Sequence, residues 1–381
     1  MLRVATIEDI KEGKVTDIYF KRTERILREK GIDKEVVVEF TAKSLPNDYS
    51  WAIFSGLSDV LSLMEGKSLT IEAIPEGSIF IPDTPVMKIK GRYLDFGKYE
   101  TTILGLICQA SGIATQSARF YKAAKGKPIL SFGTRRMHPS ICTIIDRNAY
   151  IGGCSGISTS FSAEVLGIEA TGTIPHALVL LVGDTVEAIK CFDDVIPVNV
   201  PRVALIDTFN DEKFEAIRVA EALGDKLYAI RLDTPSSRRG NFKKILEEIR
   251  WELDIRGYKD VKIVVSGGLS IDDVSELSGI ADMFGVGTSI SNAPVIDFAM
   301  DIVEIGGEKI SKKGKKSGSK DVYIGNNPLD LSVYPSDSDN IEKNLTKLNI
   351  EYIRDGRIVH SVPDDFEIRK YVLKQISELE L

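Results

Sequence analysis

From about residue 128 onward, short apolar runs alternate with amphipathic helical stretches, and this alternation limits the folds open to the chain. Residues 211–223 and 241–255, for example, repeat apolar side chains at helical spacing. Buried runs separated by helices are typical of βα units, so the sequence predicts a parallel sheet or an α/β barrel. The expected strands are residues 129–132, 168–171, 203–206, 227–232, 261–265 and 281–286.

The regions before and after these units have a different character. Residues 36–93 predict short strands at 36–40 and 69–74, a helix near 50–65, and turns at 75–77, 81–83 and 90–92. This pattern indicates a small α+β domain. Residues 306–320 carry six lysines with little apolar surface and are expected to form a mobile or ligand-ordered loop. A last amphipathic helix is expected over residues 365–379.

Composition excludes several classes of function. The net charge is −7, so the molecule as a whole would repel nucleic acid, and any polyanionic ligand must be held by a local group of cations and amides. No apolar run approaches the ~20 residues that cross a bilayer, and the first residues lack the apolar segment of a signal peptide. The four cysteines are widely spaced, as expected of reduced thiols. We therefore expect a cytoplasmic protein.

Two successive strand ends are rich in glycine. Ser266-Gly267-Gly268 follows one expected strand, and Gly285-Val286-Gly287-Thr288 closes the next. Glycine lets backbone amides approach an anion closely, and helices expected to start near Ser270 and Ser289 would add positive dipoles. Either motif alone fits a plain tight turn. Two in tandem at the carboxyl edge of a barrel predict a phosphate site.

Charged residues mark other strand ends. Arg135 and Arg136 follow the first expected strand, and arginine is the natural planar partner of carboxylate and phosphate. Arg231 and Asp233 lie two residues apart, so their side chains share a face. They could form a simple ion pair, or Asp233 could hold ribose hydroxyls or a magnesium ion while Arg231 meets phosphate. Asp207 occupies the matching position one strand earlier.

Two further residues are less clear from pattern alone. His176 follows Gly172-Thr173-Ile174-Pro175, and its place after a strand end favours a functional role over a structural one. Tyr19, in Thr16-Asp17-Ile18-Tyr19, is expected by default to pack in a core.

Together these motifs resemble nicotinate phosphoribosyltransferase, a type II phosphoribosyltransferase related to the nicotinamide and quinolinate enzymes. The resemblance extends from Thr16 to about Tyr323. The matching segments are Phe132-Gly133-Thr134-Arg135-Arg136, Arg147-Asn148-Ala149-Tyr150-Ile151-Gly152-Gly153, Gly172-Thr173-Ile174-Pro175-His176, Arg231-Leu232-Asp233, Ser266-Gly267-Gly268 and Phe284-Gly285-Val286-Gly287-Thr288.

The resemblance implies an irregular α/β barrel with an N-terminal α+β sandwich domain, working as a homodimer with sites at the subunit interface. The implied domains are residues 1–110, 111–300, and a C-terminal segment, 301–381, that packs back on the sandwich. The implied substrates are nicotinate and phosphoribosyl pyrophosphate, with Mg²⁺ carried by the pyrophosphate and ATP as a co-substrate. The product would be nicotinate mononucleotide for NAD synthesis.

The resemblance also implies a role for each motif residue. Phe132 and the partner chain's Tyr19 would sandwich the pyridine ring, and the carboxylate and substrate phosphates would meet Arg135 and Arg136. His176 matches the family's phosphorylatable histidine, which couples ATP hydrolysis to the reaction. Pyrophosphate, ribose and magnesium would be held by Arg231, Asp207 and Asp233, and phosphate by Thr173, Ser266, Gly267, Gly268, Gly287 and Thr288.

Three positions bear on how closely the chain follows the family. Ser158 lies near the position at which the nicotinamide-specific branch of the family has an aspartate. A neutral serine favours nicotinate over nicotinamide as the substrate, because an aspartate carboxylate would repel the nicotinate carboxylate. The family usually continues Arg-Leu-Asp with Ser-Gly-Asp, whereas this chain has Thr234-Pro235-Ser236, which puts pyrophosphate and metal binding in doubt. Some archaeal relatives carry a cysteine-rich C-terminal region, but no cysteine follows Cys191 here, so we expect no structural zinc.

Other functions compatible with the sequence are a quinolinate phosphoribosyltransferase, a nicotinamide phosphoribosyltransferase and a non-catalytic phosphosugar-binding barrel. The quinolinate branch is typically shorter and has lysine-rich strand ends. The altered Thr234-Pro235-Ser236 stretch is the only support for the non-catalytic protein. A purely structural role explains none of the polar strand ends.

Overall fold

A computed structural model describes residues 3–379, and the chain forms two compact units. One unit comprises both ends of the chain, residues 1–115 and 293–381, and the other is the continuous stretch 116–292. The strands are β1 (Glu35–Ala42), β2 (Ala52–Ile53), β3 (Leu69–Ala73), β4 (Ile79–Phe80), β5 (Pro85–Arg92), β6 (Ile129–Ser131), β7 (Gly156–Ile157), β8 (Arg202–Leu205), β9 (Leu227–Leu232), β10 (Lys262–Val265), β11 (Met283–Val286), β12 (Phe298–Ile305), β13 (Glu308–Lys309), β14 (Lys320–Ile324), β15 (Leu331–Pro335), β16 (Thr346–Lys347), β17 (Ile350–Arg354) and β18 (Arg357–Ile358).

The helices vary widely in length. None within residues 3–379 combines the length and apolarity needed to cross a bilayer. They are α1 (Ile7–Lys11), α2 (Ile18–Glu29), α3 (Leu57–Met64), α4 (Tyr93–Phe96), α5 (Glu100–Ala123), α6 (Cys142–Ile151), α7 (Ser160–Leu166), α8 (His176–Val182), α9 (Thr185–Val195), α10 (Glu212–Leu223), α11 (Phe242–Ile255), α12 (Ile271–Leu277), α13 (Thr288–Ser291) and α14 (Asp365–Ser377).

The two-ended unit is built on a seven-stranded antiparallel sheet in the order β13-β12-β1-β5-β3-β17-β18. β1 pairs with β5 on one side and with β12, more than 250 residues later in the chain, on the other. Helices α3 and α5 bury apolar residues in its core, including Leu57, Met64 and Ile107. The strands from the C-terminal end of the chain therefore complete a sheet begun by the N-terminal end.

Lysines of the same unit reach buried carboxylates. Lys88 Nζ lies 2.6 Å from Asp321 Oδ1, and both side chains are nearly fully buried. Lys312 and Lys315, from the lysine-rich segment, lie 2.6 and 2.7 Å from the two oxygens of Asp301, whose side chain is 4% exposed. The mobile or ligand-ordered loop expected from the sequence is thus pinned by ion pairs at these two lysines.

The continuous unit carries a six-stranded, wholly parallel sheet in the order β7-β6-β11-β10-β9-β8. Helices follow most of its strands. α10 is capped by the Asp211 side chain and α11 by Asn241, and α11 buries Phe242, Leu246 and Leu253. This curled half-barrel confirms the α/β class predicted from the alternating runs.

Two of the detailed expectations are wrong, and two expected helices are shorter than predicted. Residues 168–171 form no strand, because Glu169 and Ala170 are exposed, and the strand beside β6 is the two-residue β7. The turn expected at 90–92 lies within β5, where Gly91 fits because a Cβ would stand 2.9 Å from that of Leu69. The helix expected near 50–65 begins only at Leu57, since residues 52–53 form β2. The last helix ends at Ser377.

Candidate active site

Arg231 lies near the end of β9 and joins three neighbouring segments. Its guanidinium donates to Ser266 Oγ at 2.9 Å, to Thr173 Oγ1 at 2.7 Å and to Asp233 Oδ2 at 2.9 Å. Burial lowers the pKa of Arg231, while the nearby charges of Asp233 and Asp207 oppose that shift. The simple ion pair and the ligand-binding role proposed for this pair are both compatible with the contacts, because Arg231 is ion-paired with Asp233 and also faces a cavity.

Asp207 connects the ends of β8 and β9 with α8. Its Oδ2 accepts the backbone N–H of Asp233 at 3.0 Å, and its Oδ1 lies 3.2 Å from Nε2 of His176. The Asp207 side chain is 4% exposed, whereas that of His176 is 41% exposed. Burial raises the pKa of Asp207, and the charge of His176 opposes this. A buried carboxylate therefore orients an accessible imidazole, which suits a histidine that reacts with a ligand.

The two glycine-rich strand ends form neighbouring turns. Gly267 and Gly268 have φ of +93° and +70°, a conformation that other residues rarely adopt. Gly287 precedes α13, the four-residue helix Thr288–Ser291, one residue earlier than the helix start expected near Ser289. Gly285 belongs to the motif expected to bind phosphate, but a Cβ there would stand 2.5 Å from the Phe132 ring. Gly285 therefore makes room for that ring.

The turn after β6 presents two guanidiniums. Residues Thr134–Arg136 form a single 3-10 turn in which Arg135 and Arg136 are exposed. The turn is anchored from below, because Thr134 Oγ1 donates to Oδ1 of the fully buried Asp146 at 2.6 Å. The sequence assigned no role to Thr134 or Asp146, since a buried hydrogen bond leaves no periodic signal.

These elements enclose a cavity of about 460 Å³. A space of this size suits a small-molecule site. Its walls are both cationic and rich in backbone amides. They are formed by Phe132, Arg135, Arg136, Ser158, Gly172, Thr173, Pro175, His176, Ala177, Arg231, Asp233, Ser266, Gly267, Gly268, Gly285, Gly287 and Thr288.

The cavity gathers nearly all of the residues chosen from the sequence. Asp207 lies behind the wall, bonded to His176 and Asp233. Tyr19 belongs to the other unit, where its side chain is 56% exposed on α2, so the core packing expected by default is wrong. Among residues 3–379, no group of three or more His, Cys, Asp or Glu side chains is arranged to hold a metal ion.

Known proteins of similar sequence and fold identify the family of this chain. The family described as quinolinate phosphoribosyl transferase, C-terminal domain, matches residues 113–301, and the corresponding N-terminal domain family matches residues 17–111. A crystal structure of nicotinate-nucleotide pyrophosphorylase from Pyrococcus furiosus is 50% identical, with a TM-score of 0.97, covering 100% of this chain and 99% of that one. The chain belongs to the type II phosphoribosyltransferase family.

More distant relatives agree with this family. A nicotinate phosphoribosyltransferase of Mycobacterium tuberculosis is 27% identical over 349 residues, covering 81% of this chain and 73% of the relative. The crystal structure of human nicotinic acid phosphoribosyltransferase has the same fold, with a TM-score of 0.79 at 18% identity over 96% of this chain and 94% of the human chain. This type II phosphoribosyltransferase is thus an enzyme of phosphoribosyl transfer in NAD biosynthesis, as the sequence resemblance predicted.

Proposed function

We propose that this phosphoribosyltransferase joins nicotinate to the ribose of phosphoribosyl pyrophosphate, releasing pyrophosphate and forming nicotinate mononucleotide. The observation that carries the proposal is the single cavity in which three arginines and two glycine turns surround one aromatic ring. A doubly phosphorylated sugar needs cations and amides at two places, and a pyridine needs a flat apolar surface between them. The relatives named nicotinate phosphoribosyltransferase support the choice of pyridine.

The glycine turns are the proposed site of the 5′-phosphate. Gly267 and Gly268 lie on one side of the cavity and Gly287 and Thr288 on the next strand end, so amides of both turns can converge on one anion. Ser266 ties this region to Arg231. The pyrophosphate would then lie toward Arg231 and Arg136, with Thr173 and Asp233 beside it. The ribose hydroxyls would meet Asp233, which lines the cavity, while Asp207 would hold the Asp233 backbone from behind the wall.

The pyridine would lie on Phe132, with its carboxylate toward Arg135. The guanidinium carbon of Arg231 lies 5.3 Å from the centre of the Phe132 ring, so the ring is already held next to the cationic wall. Tyr19 would cover the other face of the pyridine from a second copy of the chain in a homodimer. Its exposure on α2 supports this role, because a tyrosine that closes a partner's site must stay accessible in its own chain.

Catalysis would rest on positioning and charge. The ring nitrogen of nicotinate is already a nucleophile, so no strong base is required. As the C1–oxygen bond breaks, negative charge grows on pyrophosphate and positive charge on the ribose, and fixed guanidiniums stabilise the first. Both oxygens of Asp207 and of Asp233 already have protein partners. A magnesium ion would therefore be held chiefly by the pyrophosphate that carries it.

His176 is the proposed point of ATP coupling. Its accessible ring borders the cavity, and Asp207 stabilises the positive charge that the ring would gain as it is phosphorylated or dephosphorylated. ATP would phosphorylate the imidazole, and hydrolysis of this phosphohistidine would accompany nucleotide formation.

A second candidate is a quinolinate phosphoribosyltransferase, favoured by the names of the two matching domain families. Quinolinate carries two carboxylates on its ring and would need additional cations. Arg231 and Arg136 are already assigned to the pyrophosphate and Arg135 to one carboxylate, and none of the described residues lining the cavity is a lysine. Ser158, at the cavity wall, also leaves the ring site without the acidic group that would favour nicotinamide.

One experiment separates these activities. The purified protein is incubated with phosphoribosyl pyrophosphate, Mg²⁺ and nicotinate, nicotinamide or quinolinate, each with and without ATP. Nicotinate mononucleotide from nicotinate, with a higher yield in the presence of ATP, is the expected result. Release of CO₂ from quinolinate at a greater rate would replace the proposal with the second candidate, and no product from any pyridine would end it.

A further inference from the structure

Arg239 lies outside the cavity wall but is bonded to the loops that build it. Its side chain is buried, with the residue 7% exposed, and its guanidinium donates to backbone carbonyls of two different loops. Nε donates to the Thr234 carbonyl at 2.7 Å, and Nη2 donates to the carbonyls of Ser266, at 3.2 Å, and Gly267. One buried cation thus ties the stretch that departs from the family pattern to the turn proposed to hold phosphate.

These bonds fix the direction of two peptide groups. In a trans peptide the C=O and N–H bonds point in opposite directions. The Ser266 carbonyl belongs to the same peptide as the Gly267 N–H, and the Gly267 carbonyl to the same peptide as the Gly268 N–H. Because Arg239 holds both carbonyls, both N–H groups point away from it. Neither N–H donates to an acceptor within residues 3–379.

The glycine conformations fit this arrangement. Successive residues with positive φ, as at Gly267 and Gly268, bend the chain so that neighbouring amides can converge on one anion. Gly267 is also close to Arg239 itself, since a Cβ there would stand 3.1 Å from Nη2 and 2.8 Å from the Asp233 carbonyl. The guanidinium, Asp233 and the turn are therefore in direct contact, with no space for a side chain at Gly267.

The neighbouring loop is held from a second side. Thr234 Oγ1 donates to Glu212 Oε1 at 3.0 Å, while the Thr234 carbonyl accepts from Arg239. The ring of Phe242 lies under the guanidinium, 5.0 Å from its carbon to the ring centre. Arg239 is thus held by an aromatic ring, a threonine carbonyl and the glycine turn.

We propose that Arg239 is a positioning residue that aims the Gly267 and Gly268 amides at the sugar phosphate and strengthens them as donors. A cation bonded to a carbonyl draws electron density from that peptide and makes its N–H a better donor to an anion. The positive charge beneath the turn attracts the phosphate as well. This inference rests on the proposed function, because it assigns an anion to the turn.

The test measures binding of ribose 5-phosphate, which carries the 5′-phosphate without pyrophosphate, by isothermal titration calorimetry. Arg239→Ala is expected to weaken binding at least tenfold, and Arg239→Lys to weaken it less, because one ammonium keeps the charge but cannot span all three carbonyls. The matched control is Arg238→Ala, which removes the exposed neighbouring arginine and should change affinity less than twofold. Thermal midpoints are recorded for every variant.

A kinetic readout separates positioning from folding. Arg239→Lys should raise the KM for phosphoribosyl pyrophosphate while leaving the KM for nicotinate within twofold, and a general loss of structure would raise both. Equal affinities for ribose 5-phosphate in Arg239→Lys, Arg238→Ala and the wild type would overturn the role of Arg239 and leave the proposed function intact. A wild-type protein that binds no ribose 5-phosphate and makes no nucleotide would overturn both.

Discussion

Substitution of Arg231 is expected to lower catalytic activity much more than it lowers the stability of the fold. The substitution Arg231→Ala removes three hydrogen bonds of 2.7–2.9 Å, one of them to a carboxylate. Bonds to charged groups are each worth about 1.5–3 kcal/mol, but the Asp233 side chain is 26% exposed and can regain water. We therefore expect a net loss of about 2 kcal/mol in the free energy of unfolding, or about 4–8 °C in Tm.

The expected loss of activity is larger. Arg231 is a fixed donor at the place where charge would develop on the leaving pyrophosphate, and removing one such donor costs roughly 10²–10³ in turnover. The assay measures kcat/KM for nicotinate mononucleotide formation. The temperature is kept at least about 20 °C below the Tm of the variant, a margin larger than the expected shift in Tm, so that the protein stays folded. Arg231→Lys should recover part of the rate by restoring the charge.

The matched control is Arg202, a buried arginine at the start of β8. It donates to Asp193 Oδ1 at 2.7 Å and to nearby backbone carbonyls. Arg202→Ala should lower Tm at least as much as Arg231→Ala, with kcat/KM of the folded protein unchanged within about twofold. If both variants lose Tm and activity in the same proportion, Arg231 is a structural ion pair and the catalytic reasoning fails.

Four further predictions use other parts of the molecule. Ser158→Asp should lower kcat/KM for nicotinate by at least about tenfold relative to nicotinamide, because a carboxylate in the cavity repels an acid; a competition assay with both pyridines measures the ratio. His176→Asn should abolish stimulation by ATP while basal nucleotide formation continues, and ATP consumed per nucleotide is the readout. Tyr19→Ala should raise the KM for nicotinate with no change in Tm, since that side chain is 56% exposed; a matched fall in Tm would argue for packing. Burial raises the pKa of Glu100 to about 7 from an ordinary value of 4.5. Between these two pH values the folded protein keeps a proton on Glu100 that the unfolded chain has lost, so the free energy of unfolding falls as the pH rises. Glu100→Gln should therefore raise Tm at pH 8 but not at pH 4, and an equal gain at both values would contradict the cause.

The barrel and the residues around its cavity were predictable because both depend on local pattern. Short runs rich in apolar residues, such as Leu227–Leu232, identify a buried strand, and in parallel sheets the carboxyl ends of neighbouring strands meet at one edge. Residues at the ends of separate strands, such as Arg135, Arg231 and Gly267, could therefore be predicted from the sequence to lie together.

Features that depend on contacts distant in sequence could not be predicted. β7 is only two residues long, so it has no period to detect. Arg239 lies in a polar stretch that reads as a surface loop, and only the fold brings its guanidinium beneath Ser266 and Gly267. In the same way, nothing in the sequence around Lys312 indicates that it pairs with the buried carboxylate of Asp301. Charge in a loop does not reveal which partner the fold will provide.

The division of the chain has a consequence for its synthesis. The continuous unit, residues 116–292, can form as soon as it leaves the ribosome, whereas β1 must wait for β12, which is made roughly 250 residues later. At about 5–20 residues per second, that interval is roughly 13–50 s. During it one edge of β1, with its three consecutive valines, stays unpaired and open to association with other nascent chains. The amino-terminal half should therefore depend on chaperones more than the barrel does.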